Sequence, residues 1–268
     1  MNKKKKIGLL IFSLCCFLPQ YKIFGQCELK NSAFVSGEKI EYDVYFNYGF
    51  LYIKAGKGFL TITDANHKGK SAYKTYMQVN SGGLAGNLYT VNDTLTSYVD
   101  MNLRPLLFTK EAFEGKDYST EKQIYTYDGS SLKVRAIRTW NGEPDFDQTL
   151  TIENCAYDYL SILLYVRNLD FSKMKKGDKQ YVHFLSGKQI VNMSINYEGT
   201  SSMKANDGNR YDVINLSMTI LDKAFKNPQE AIRASLTNDN NRVPIVIETA
   251  LKIGSVKAVM RSFSGKRN

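Results

Sequence analysis

Glu38-Lys39-Ile40-Glu41-Tyr42-Asp43-Val44-Tyr45-Phe46 is the stretch on which the fold turns. Ile40, Tyr42, Val44 and Phe46 fall on one side of an extended chain, and Glu41, Asp43 and Tyr45 fall on the other. Successive side chains of a strand point to opposite faces, so this alternation describes a strand with one face buried. The same period-2 texture returns at 58–63, 73–79, 94–99, 122–127 and 132–139. After mid-chain it resumes at 180–185, 189–197, 211–220, 231–236, 244–251 and 255–263. Turn residues separate the runs, among them Asn66-His67-Lys68-Gly69, Asp128-Gly129, Asn141-Gly142, Asp207-Gly208 and Asn238-Asp239-Asn240-Asn241. Asn-Gly and Asp-Gly pairs supply the positive φ angles of tight hairpins. The 18 Tyr and 14 Phe suit strands, where aromatic side chains pack across neighbours. The expected fold is mainly β, an antiparallel meander wrapped as a half-barrel or open barrel.

One segment breaks the pattern. Asp158 is a reasonable helix N-cap, and the eleven residues from Tyr159 to Leu169 follow it. Leu160, Leu163, Leu164 and Arg167 share one helical stripe, while Tyr159, Ile162, Tyr165, Val166 and Leu169 make the remaining surface mostly apolar. A helix apolar nearly all round is buried, and this one is too short to span a bilayer. The reading is one buried central α-helix, either wrapped by a curved sheet or clamped between two β subdomains that divide near 156–170. Arg167 on such a helix needs a carboxylate or several carbonyl partners, or it anchors an anionic headgroup in a cavity. Arg167, Leu163 and Tyr159 are therefore the candidate ligand-binding residues.

The N-terminus reads as an export signal spanning 1–25. Lys3, Lys4, Lys5 and Lys6 precede the apolar run Ile7 to Leu18, Pro19 breaks it, and a small residue, Gly25, precedes Gln26. Residues 26–268 are then the mature β domain. Removing the leader takes five of the 36 Lys+Arg and none of the 26 Asp+Glu, so the formal charge of +10 falls to +5. That scattered charge is no footprint of nucleic acid. Four Cys become two, because Cys15 and Cys16 lie in the leader. In an oxidising compartment Cys27 and Cys155 are a candidate disulfide, with a buried free thiol or lipidation of Cys27 as the alternatives. Gln26 and Phe24 stand where a lipidation signal wants a small residue and Leu.

Catalytic motifs are missing from the sequence. There is no phosphate loop, no Gly-x-Ser-x-Gly elbow, and Gly56-Lys57-Gly58 lacks the third glycine of a dinucleotide fingerprint. With only His67 and His183, a His-rich metal site is impossible. The Asn206-Asp207-Gly208-Asn209 and Asn238–Asn241 clusters read as hairpin turns, not calcium loops. No cofactor is expected, and the chain reads as no enzyme.

Several stretches taken together resemble a known family. They are Gly37–Val44 with Ala55-Gly56-Lys57-Gly58, Leu103-Arg104-Pro105, Tyr157–Asn168, and Asn238–Ile245 closing with Gly254–Ala258. As a set they resemble a domain-of-unknown-function family of exported Bacteroidetes-type envelope proteins. The resemblance implies a wrapped antiparallel β fold, similar in outline to envelope lipoproteins and their carriers. It carries over no catalytic residue. It also implies a location in the periplasm or on the periplasmic face of a Gram-negative outer membrane, without a transmembrane span after processing. The expected role is binding an apolar or amphipathic ligand such as a lipid, or an envelope protein partner, in the curved sheet. A purely structural or assembly protein with a filled interior is the alternative, and an envelope hydrolase the third.

Overall fold

The computed structural model describes residues 27–266 apart from 84–85, 87–88, 130, 221–231 and 251–253. The export signal expected over 1–25 lies outside the described residues. The strands are β1 (Glu38–Tyr48), β2 (Leu51–His67), β3 (Lys70–Ser81), β4 (Val91–Asp100), β5 (Pro105–Glu114), β6 (Asp117–Asp128), β7 (Ser131–Trp140), β8 (Glu143–Glu153) and β9 (Ala156–Tyr157). After the helix α1 (Ser161–Arg167) come β10 (Lys179–Ser186), β11 (Gln189–Lys204), β12 (Arg210–Ile220), β13 (Ile232–Thr237), β14 (Pro244–Ala250) and β15 (Ser255–Ser264). All fifteen belong to one sheet, ordered β8-β7-β6-β5-β4-β3-β2-β1-β15-β14-β13-β12-β11-β10-β9.

That order is two meanders joined at their ends. Strands β1 to β8 run out to one edge, and β15 back to β9 run out to the other. The antiparallel β1–β15 pair joins them, with Ile40 opposite Phe263 and Val44 opposite Ala258. Every pairing is antiparallel except the short parallel contact of β9 with β10. The two edges face each other across a seam, which leaves the sheet one step short of a closed barrel. Gln148 on β8 donates to the Lys188 carbonyl in the β10–β11 turn across that seam. Gly56 is needed where β3 presses on β2: a Cβ there would meet the Asn80 carbonyl oxygen at 2.1 Å.

The helix forms where the alternation stops. Leu160, just before it, offers no side-chain cap. Asp158 does the capping from two residues earlier, accepting the Leu160 and Ser161 N–H groups on Oδ1 at 2.9 Å each. Its Oδ2 accepts the Ser97 hydroxyl of β4 at 3.0 Å, so the cap also fixes the helix to the sheet. Burial pushes the Asp158 carboxyl up, and these three donors, with the Ser161 side chain, pull it back. Every residue of α1 is buried. Leu163 and Leu164 pack with Ile40, Leu60, Val99 and Phe108 of the first meander, while Ile162, Tyr165 and Val166 pack with Val182, Phe184 and Leu216 of the second. The helix is thus the shared core of both meanders, which is why it is apolar all round. A disulfide between Cys27 and Cys155, with a Cα–Cα distance of 5.5 Å, fastens the N-terminal segment to the link between β8 and β9.

Candidate functional site

Of the three residues singled out as ligand contacts, two lie in the core. Leu163 is buried against the first meander. Arg167 is 1% exposed and forms a two-pronged ion pair with the equally buried Glu38 of β1. Its Nη2 donates to Glu38 Oε2 at 2.8 Å and to the Asn241 carbonyl at 2.8 Å, and its ring-facing side lies over Phe34. The guanidinium therefore ties α1 to β1 and to the β13–β14 turn. Burial pushes the Glu38 carboxyl above its usual value, against the pull of Arg167. Tyr159 differs: it stands at the seam between Phe108 and Phe184, with ring centroids 5.9 and 4.9 Å away. The cleft there measures about 420 Å³ and is bounded by Lys110, Glu121, Arg138 and Asp145 from one edge and the 186–189 turn from the other.

The larger concavity lies on the face of the second meander turned away from the helix. Helix-facing positions of the second meander are Ile195, Ile214, Leu216, Ala234 and Leu236. Alternation puts Ser194 and Asn196 of β11, Asn215 and Ser217 of β12, Arg233 and Ser235 of β13, Val246 and Glu248 of β14 and Lys257 of β15 on the opposite face. The pairing registers set them side by side: Asn196 opposite Ser217, Asn215 opposite Ser235, Ser235 opposite Val246 and Glu248 opposite Lys257. On an ordinary one-sided sheet this face would be solvated. Here Asn196, Ser217, Ser235, Val246 and Val259 are all less than a tenth exposed.

The cause is a curl. β11 shifts register between Tyr197 and Gly199 and runs on to Lys204, longer than its neighbours. The bulge bends the β11–β12 hairpin, as an extra residue in one strand does. Its tip, Asn206, donates from its N–H to the Met260 carbonyl of β15 at 2.8 Å and from Nδ2 to Asp43 of β1 at 3.0 Å. The turn cluster 206–209 is thus a docking tip. The strands between β11 and β15 thereby wrap a cavity of about 800 Å³.

Its walls are amphipathic. Val246 and Met203 are apolar; Asn196, Ser217, Asn215 and Ser235 carry a hydrogen-bonded ladder. Ser235 Oγ donates to Asn215 Oδ1 at 2.9 Å, and Asn215 Nδ2 donates to Ser201 Oγ at 2.8 Å. Asn196 Nδ2 donates to Ser217 Oγ at 3.0 Å, which in turn donates to Glu198 at 2.7 Å. Lys179, Arg233 and Lys257 add cationic groups, and Glu198 and Glu248 add carboxylates. Ser217 has a carboxylate and an amide beside it but no imidazole, since neither His67 nor His183 lines the cavity. Among the described residues no three His, Cys, Asp or Glu side chains are grouped to hold a metal ion, and no helix is long and apolar enough to cross a membrane.

Sequence reasoning missed this site because its residues read as the outward half of ordinary strands. The usable signal was confined to β11 and β12: Ser194, Asn196, Asn215 and Ser217 are small or amide side chains where a solvated strand carries Lys and Glu.

Comparison with known proteins agrees with the architecture. A β-barrel-like protein from Brucella abortus, of a domain family of unknown function (DUF1849), superposes with a TM-score of 0.58 at 8% identity, covering 87% of this chain and 98% of its own. A Bacteroides fragilis protein of YmcC-like fold, assigned as exported, matches at a TM-score of 0.35 and 9% identity over 88% of this chain and 99% of its own, too distant to carry an argument. No curated protein matches. The family model for a protein of unknown function, DUF3108, matches residues 41–261, and the chain belongs to that family.

Proposed function

We propose that this is an exported, non-catalytic envelope protein that binds an amphipathic ligand in the cavity of the β10–β15 lobe. Residues 1–25 are read as a removable signal and 26–268 as one β domain. The observation that carries the proposal is the contrast between the two sheet faces. The helix-facing side is filled by α1, which leaves no groove for a ligand. The opposite face forms a half-open concavity of about 800 Å³, within the size range of small-molecule sites, with walls that combine aliphatic groups with a few oriented polar ones. A protein built only to scaffold would gain stability by filling that space, as it has filled the other.

The test is native mass spectrometry of protein recovered from its own envelope. Wild type should carry a co-purifying small molecule. Ser235→Trp, which places an indole in the cavity, should lose it while melting within a few degrees of wild type. A folded Ser235→Trp protein that keeps the same ligand would overturn the assignment to this cavity. A wild-type protein with no adduct would favour the scaffold.

A further inference from the structure

The polar wall contains one unmet requirement. Asn196 is about nine-tenths buried and lines the cavity, and both hydrogens of its amide have acceptors in reach, at 3.0 Å to Ser217 Oγ and 3.5 Å to Thr219 Oγ1. Among the described residues its Oδ1 has no donor. A buried acceptor without a donor is costly, and native proteins rarely keep one without a use for it. Reversing the amide would not help: an Nδ2 in that place would itself be a buried donor without a partner.

We infer that Asn196 Oδ1 is the contact for a neutral hydroxyl of a polyol ligand, which names the ligand class for the cavity proposed above and rests on that proposal. The missing partner must donate, so a carboxylate or phosphate oxygen cannot supply it. A permanent cation without N–H or O–H groups cannot either. An ammonium could donate, but it would share the cavity with Lys179, Arg233 and Lys257 against only Glu198 and Glu248. A hydroxyl both donates and accepts. It can give its proton to Asn196 and take one from a lysine ammonium, and adjacent hydroxyls of a sugar ring can repeat this along the Asn215–Ser235 rung. Val246 and Met203 then face the ring carbons or an attached alkyl chain. The polyol has two sources, a free carbohydrate or the sugar headgroup of a glycolipid.

Methyl β-glucoside and octyl β-glucoside, the latter below its micelle concentration, separate the two sources in calorimetric titrations of the mature chain, with laurate as the apolar control. The inference predicts saturable one-to-one binding of at least the octyl compound, weakened tenfold or more in Asn196→Leu. The same variant should melt no lower than wild type, because it removes an unsatisfied acceptor and keeps the branched shape of the side chain. A merely structural Asn196 would instead lower the melting temperature. If Asn196→Leu does not fold, Asn196→Ala is read in its place. Equal affinity for the two glucosides indicates a free carbohydrate, and preference for the octyl one indicates a glycolipid. Glucoside binding unchanged in the variants, or no glucoside binding, overturns the polyol assignment. Laurate binding that is lost in Ser235→Trp would then leave the cavity proposal standing.

Discussion

Replacing Arg167 by methionine tests how the helix is held. The guanidinium is 1% exposed and Glu38 is 1% exposed, so neither charge is screened by water. Arg167 also satisfies the Asn241 carbonyl at 2.8 Å and reaches the Ala33 carbonyl at 3.5 Å. Arg167→Met leaves a carboxylate alone in the core and strips a donor from those two carbonyls. Removing one member of a buried pair costs about 3–5 kcal/mol, whereas replacing both by apolar groups of similar volume is close to neutral. The double variant Glu38→Leu with Arg167→Met should therefore recover most of the loss. The pH dependence has a definite sign. Burial already raises the Glu38 carboxyl above 4.5, and without Arg167 it rises further. A raised carboxyl favours folding below its unfolded value and disfavours it as pH climbs through the folded one. The Arg167→Met penalty should thus be largest near neutrality and shrink as pH falls toward 4.5. Urea unfolding of the oxidised mature chain at a series of pH values measures all three quantities. A single-variant loss under about 1 kcal/mol, or a double variant as weak as the single, would refute the argument.

Other expectations follow from the same packing. Leu163→Ala removes a buried side chain from between the helix and the first meander and should cost about 2–5 kcal/mol by urea unfolding. Reducing the Cys27–Cys155 bridge opens a loop of 128 residues in sequence separation and should cost up to about 5 kcal/mol; a non-reducing peptide map of exported protein should show the two cysteines joined. Asp93 on β4 is pushed up to about 6 by burial, with Glu114 adding to the rise and Lys110 opposing it. Its raised value means that its contribution to stability is present below about 3.8 and lost as pH rises through about 6. Unfolding titrations should show that slope in wild type and a flatter one in Asp93→Asn.

Much of the architecture is legible in the chain because alternation reports burial directly. The runs at 38–46, 73–79, 189–197 and 255–263 each lie within a strand. β5 and β8 escaped notice for physical reasons. β5 places Lys110 on a sheet face and opens with Pro105 after a left-handed Leu103, which blurs its period. β8 is an edge strand in the sheet order, with no position on it fully buried, so Phe146, Gln148, Leu150 and Ile152 are only half covered and look like loop. The helix is shorter than the sequence suggests because Tyr159 and Leu160 form the turn held by Asp158. Arg167 announced that it needed a partner, but Glu38 lies 129 residues away and no local pattern could pair them. The cavity was illegible for a similar reason. Its existence depends on one bulge near Tyr197 and on where the Asn206 tip lands, and its chemistry depends on a register that places Asn196 beside Ser217.

Hydrogen–deuterium exchange of the mature protein with and without its native ligand reads where that ligand sits. New protection is expected on binding in 194–198, 215–219 and 233–235, with the α1 segment unchanged because every residue of the helix is already buried. Protection concentrated instead at the seam, around Tyr159 and 186–189, or a loosening of α1 as the ligand enters, would contradict that placement.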